Sequence, residues 1–76
     1  MVDALHELLD AGERAWAVRT AQAALLILGF SPGRIDGVIG NRTRKALRDF
    51  QIANNLTGNG ELDGDSYDRL WKLAFA

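Results

Sequence analysis

The chain has 76 residues, no cysteine, one histidine and a formal net charge of −1. That length holds one domain, and a core this small relies on disulfides, a metal or tight helix packing. The missing cysteines exclude disulfides and thiolate metal sites, the lone His6 excludes a multi-histidine site, and the near-neutral balance argues against a dedicated nucleic-acid binder.

The first predicted helix covers about residues 4–11, with Asp3 as N-cap and Gly12 as stop. Leu5, Leu8 and Leu9 fall on one of its faces. The second helix runs from Ala15 to Leu28, with Val18, Ala21, Gln22, Leu25 and Leu28 as its buried stripe. Leu26 and Ile27 lie off that stripe, which predicts burial on a second side under Leu5, Leu8 and Leu9. The apolar run from Ala23 to Leu28 is far too short to cross a bilayer, and the acidic start of the chain does not read as a secretory signal.

Gly29 is placed to end the second helix. Residues 30–40 then carry Ser-Pro, Pro-Gly and Asp-Gly, each a turn signal. Phe30, Ile35, Val38 and Ile39 are expected to pin this loop to a core. The third helix is predicted from Asn41 to Ala53, with Thr43, Ala46, Leu47 and Phe50 on one side and Arg44 and Arg48 on the other. Asn54-Asn55 is a stop, and Thr57-Gly58-Asn59-Gly60 a second turn cluster. The last helix takes Asp63 as N-cap and Asp65 in its first turn, with Tyr67, Leu70, Trp71 and Ala74 at helical spacing. No run alternates with period two long enough to make a strand, so the fold class is all-α.

Catalysis lacks its parts. Ser31 and Ser66 have only His6 as a base, in a segment rich in carboxylates, and the ten acids sit in caps, turns and helix faces. No enzyme activity and no cofactor are expected. Asn59-x-Glu61-x-Asp63-Gly64 resembles the first half of a calcium loop, but Leu70 stands where the bidentate glutamate belongs, so turn and cap roles are expected instead. The basic middle carries Arg34, Arg42, Arg44, Lys45 and Arg48 against Asp36, and Lys45 can pair with Asp49 four residues on. Arg42 and Arg44 stand in the first turn of the third helix, where the helix dipole disfavours cations. That points to an anionic ligand such as a carboxylate; the alternative is a solvated face. Trp16 and Trp71 could each offer a flat face to a sugar, although a place in the core is the better expectation for both.

Several motifs occur together in a fixed order. They are Val18-Arg19-Thr20-Ala21-Gln22, Leu25, Leu28-Gly29-Phe30, Pro32-Gly33, Ile35-Asp36-Gly37-Val38-Ile39-Gly40, Thr43, Ala46-Leu47 and Phe50-Gln51. Leu56, Gly60, Leu62-Asp63, Ser66 and Leu70 continue the series. This set resembles the peptidoglycan-binding domain of cell-wall hydrolases and phage endolysins, over about residues 16–73. Ala21 departs from the family's larger aliphatic residue, Asn41 from its common proline and Ser66 from its usual threonine.

The resemblance implies a compact three-helix bundle over residues 15–76; the predicted N-terminal helix makes residues 1–14 an extension outside the family core, expected to pack on it. The resemblance further implies non-catalytic binding of peptidoglycan, a muropeptide or its glycan, that targets an attached or partner cell-wall hydrolase. The place of work would be the cell envelope, periplasm or cell wall, or the protein would be phage-encoded. A monomer is expected, with no nucleic acid and no membrane as partner. Gln22 and Gln51 would satisfy loop backbone groups. The expected ligand face comprises Arg34, Asn41, Arg42, Arg44 and Arg48, since guanidinium groups pair carboxylates in bidentate fashion. Two alternatives stay open: a structural or protein-interaction module using the basic face of residues 34–48, and a small helical nucleic-acid binder.

Overall fold

The computed structural model describes residues 11–76. Three helices order them: α1 (Ala11–Ile27), α2 (Asn41–Ala53) and α3 (Gly64–Ala74), with no strand among the described residues. The expected helix over residues 4–11, and the cover that Leu5, Leu8 and Leu9 were to give, lie outside the described residues. Gly12, predicted as a stop, is instead the second residue of α1.

The helix ends follow local chemistry. At the end of α1 the Phe30 amide donates to the Leu25 carbonyl at 2.8 Å and the Gly29 amide to Leu26 at 3.1 Å, while Gly29 sits at φ 91°. These paired bonds are the Schellman arrangement, which satisfies carbonyls that the helix leaves open. The end of α2 repeats it with a different residue. Leu56 donates to Gln51 at 2.8 Å, Asn55 donates to Ile52 at 3.2 Å, and Asn55 takes φ 60°. At the start of α3 the Asp63 side chain accepts from the Ser66 amide at 2.8 Å, the N-cap bond predicted for it.

The core sits where the three helices meet. Leu25, Leu47, Phe50, Leu62 and Leu70 are almost wholly buried, joined by Val18, Ala21, Ala24 and Ala46. Phe30 and Ile39 reach in from the first loop, and Phe30 meets Phe50 edge-on with ring centroids 5.7 Å apart. α1 packs mainly against α3 and also touches α2. Ala21 is fully enclosed, so its small side chain fits a close helix approach.

Several apolar residues expected inside are outside. Leu26 and Ile27 are more than half exposed, Val38 and Ile35 face solvent, and Trp16 and Trp71 are exposed by 68% and 45%. Three short helices bury little more than one stripe of each, so among the described residues there is no second interior to receive them. Of the predicted inner face of α3, Leu70 is buried, Tyr67 and Ala74 are half-buried, and Ser66 takes the fourth inward place. Trp71 turns outward and stacks edge-on with Phe75, centroids 4.9 Å apart.

Candidate functional site

Two buried glutamines hold the loops. Gln22, on the core face of α1, has no exposed surface. Its Oε1 accepts from the amides of Asp36 (3.1 Å) and Gly37 (3.0 Å). Its Nε2 donates to the Val38 carbonyl (3.0 Å), the Thr43 hydroxyl (3.1 Å) and Asp36 Oδ1 (3.3 Å). The Thr43 hydroxyl in turn donates to the Pro32 carbonyl at 2.8 Å. One side chain thus joins the middle of α1 to the far end of the first loop and the first turn of α2.

Gln51 performs the same task one helix later. Its Oε1 accepts from the Gly60 amide at 2.8 Å, and its Nε2 donates to the Glu61 carbonyl (2.8 Å) and the Ser66 hydroxyl (2.9 Å). Each amide therefore grips a glycine turn and a hydroxyl in the first turn of the next helix. Gly37 and Gly60 stand at φ 80° and 73°, a conformation that L side chains rarely adopt. A Cβ on Gly37 would also lie 3.1 Å from the Ala15 carbonyl, so the loop tip rests directly on α1. Ser66, a departure from the family's usual threonine, keeps the hydroxyl that the latch needs. No buried side-chain nitrogen or oxygen among the described residues lacks a partner.

Latched in this way, the first loop and the start of α2 enclose a cleft of about 300 Å³. Pro32, Gly33, Arg34, Asp36, Val38, Asn41 and Arg42 line it. Asp36 Oδ1 accepts from the Val38 amide at 3.0 Å, closing a turn. That amide, with the Gln22 side chain and the Asp36 amide, holds the Asp36 carboxyl below its ordinary value; Arg34 adds to the effect and desolvation opposes it. Asp36 is therefore an anion at neutral pH, with Arg34 near enough to favour that charge. The stem of Arg42 lies over Gly33, where an added Cβ would meet Arg42 Cβ at 3.4 Å. The N-cap of α2 is Gly40, with no side-chain cap bond. The cleft thus offers guanidinium forks, a carboxylate, an amide side chain and the exposed apolar side chain of Val38.

Of the five residues expected on the ligand face, Arg34, Asn41 and Arg42 come together here. Arg44 and Arg48 do not. Their stems pack against the second loop, close to Gly60 and Gly58 respectively. Two residues along a helix is a rotation of roughly 200°, so Arg42 and Arg44 point apart. A second cleft, about 360 Å³, lies on the other side of Arg42 between Gly29, Phe30, Ser31, Lys45, Ala46 and Asp49. Lys45 and Asp49 pair there at 2.7 Å, as their spacing predicts. Asp36 and Val38 were expected only as a turn former and a core anchor; their position on the cleft wall follows from the loop path, which residue type alone does not reveal. The calcium-loop candidate resolves into turn and cap bonds, since Asn59 Oδ1 accepts from the Glu61 amide and Asp63 caps α3.

The family described as "Putative peptidoglycan binding domain" matches residues 15–70. The chain belongs to this family. The match covers all of α2, most of α1 and α3, and both glutamine latches. No curated protein and no solved structure gave a significant match. Membership in a peptidoglycan-binding family gives peptidoglycan as the ligand class and the cell wall as the place where it is met. Among the described residues, no helix is long and apolar enough to cross a membrane.

Proposed function

We propose that this peptidoglycan-binding domain holds a muropeptide in the cleft between the first loop and α2, without cleaving it, and so concentrates an attached or partner cell-wall enzyme on its substrate. The observation that carries this reading is the convergence of Arg34, Asn41 and Arg42 on one cleft that Asp36 also lines. A peptide stem carries carboxylates for the arginines, which pair them through two parallel N–H bonds. Its amides and the sugar N-acetyl groups suit Asn41, and a stem ammonium group would suit Asp36. The exposed side chain of Val38 takes apolar contact, as small-ligand sites usually do. Targeting by such a module acts through local concentration and needs no chemistry of its own.

The test is co-sedimentation with purified insoluble peptidoglycan. Changing Arg34 and Arg42 together to Ala is expected to weaken retention by roughly tenfold or more, the loss of one or two charge-assisted contacts. Circular dichroism should stay unchanged, because both side chains are exposed. Arg44→Ala with Arg48→Ala is the comparison and should retain the wall nearly as wild type does. Equal losses from both double variants would remove the cleft as the binding site. No retention of the wild-type protein would overturn the reading as a whole.

A further inference from the structure

The two clefts on either side of Arg42 share their walls. The first loop runs along one side, with Gly29 and Ser31 at the second cleft and Gly33 and Arg34 at the first. The opening turns of α2 form the other side, with Asn41 at the first cleft and Lys45 and Asp49 at the second. Arg42 lines both.

What lies between the clefts is a low crossing. Gly33 stands at φ 86°, and a Cβ built on it would meet Arg42 Cβ at 3.4 Å, Cδ at 3.5 Å and Nε at 3.6 Å. The Arg42 side chain therefore lies along the loop from its base to its guanidinium, over a position with no side chain of its own. It separates the clefts as a bridge at floor level, not as a standing wall. Among the described residues no carboxylate pairs with Arg42. Its donors are open to a ligand on either side.

The far end of this path has its own charge chemistry. Lys45 and Asp49 pair at 2.7 Å, with much of each side chain exposed. An exposed pair at that helical spacing contributes little stability. A lysine ammonium has three N–H donors and Asp49 takes one, so Lys45 can serve a second carboxylate while Asp49 holds it at the cleft.

Given a muropeptide in the first cleft, the reading on which this inference rests, we propose that the two clefts are one groove and that a peptide stem lies along it with its terminal carboxylate on Lys45. From Asn41 to Asp49 the helix α2 rises about 12 Å. That is the span of roughly four extended residues. A stem of two residues spans about 7 Å and stays with one cleft. Small-molecule sites run from about 300 to about 1,000 Å³. At about 300 and 360 Å³, each cleft alone is at the small end of that range, whereas a groove through both has room for the longer stem. The groove therefore selects full stems over trimmed ones.

Titration of the 76-residue chain with soluble disaccharide-peptides tests this selection. A four-residue stem should bind roughly tenfold or more tighter than a two-residue stem, the gain from one charge-assisted contact. Lys45→Ala should cut that gain to about twofold or less. The Lys45 side chain is mostly exposed, so circular dichroism of the variant should match wild type. A four-residue stem whose terminal carboxyl is amidated should lose the same gain on the wild-type protein and lose nothing further on Lys45→Ala. In NMR spectra the amides of Gly29 and Ser31 should shift with the four-residue stem and not with the two-residue one. Equal affinity for the two stems overturns the groove and leaves the first cleft in place. A gain that survives Lys45→Ala or amidation overturns the contact at Lys45. Binding of neither stem removes the first-cleft reading as well.

Discussion

Replacing Gln22 with Leu isolates what the first latch contributes. Leucine has nearly the same volume and sits well in a helix, so packing at this fully buried position changes little. The change removes the partner of the Asp36 and Gly37 amides and one of the two donors to the Val38 carbonyl, which keeps the Gly40 amide. Thr43 keeps its bond to Pro32 and loses only the glutamine. At about 1 kcal/mol net for each bond, with partial access of water to the loop, the expected cost is about 2–3 kcal/mol. A chain of this length has roughly 4–11 kcal/mol in all, so the variant should lose a large part of its stability. Thermal unfolding followed by circular dichroism at 222 nm should show Tm lower by roughly 10–20 °C. Urea unfolding should show a lower midpoint at unchanged slope, since the surface exposed on unfolding is the same. A Tm within about 3 °C of wild type, equivalent to under 1 kcal/mol, would refute the view that the buried amide holds the loop.

The acid side of the stability curve should carry the signature of Asp36. Its folded pKa lies below the ordinary value. Its contribution is therefore present above the unfolded pKa and is lost as pH falls through the folded one. Asp36→Asn should flatten the fall in Tm between pH 6 and pH 3; an unchanged slope would show that the carboxylate is not held as described. Gly60→Ala tests the second latch. The new Cβ would stand 2.7 Å from Arg44 Cγ and 3.1 Å from the Arg44 carbonyl, at φ 73°. The expected loss is about 1–3 kcal/mol by chemical denaturation, and a neutral result would mean that the turn relaxes freely.

Much of this fold is legible because its signals are local. Asp63 as a cap, Gly29 and Asn55 as left-handed stops, and the inward stripe of Thr43, Ala46, Leu47 and Phe50 depend only on near neighbours, and each takes its expected place. Gln22 and Gln51 also do what was expected of them. Exposure was the harder question. Hydropathy says that Trp16, Trp71, Ile35 and Val38 could be buried, and it cannot say whether three short helices have room for them. Gly12 shows a similar limit, since a glycine read as a stop stands instead in the first turn of α1. The candidate cleft was legible in its ingredients but not in its grouping. Arg42 and Arg44 are neighbours in sequence, yet helical rotation sends one to the first loop and the other to the second.

The two glutamine latches have a consequence for how such a domain can diversify. Each fixes its loop from the protein interior, through a glycine turn and a hydroxyl at the next helix start. Gln22 and Gly37, which hold the loop, are therefore not on the cleft wall, while Arg34, Val38 and Asn41 are; Asp36 and Thr43 serve both. Arg34, Ile35, Val38 and Asn41 look outward from a frame that Gln22, Gly37 and Thr43 keep in shape. Ligand preference can be rewritten at the outward positions while the frame stays as it is, so one scaffold can serve walls of different chemistry.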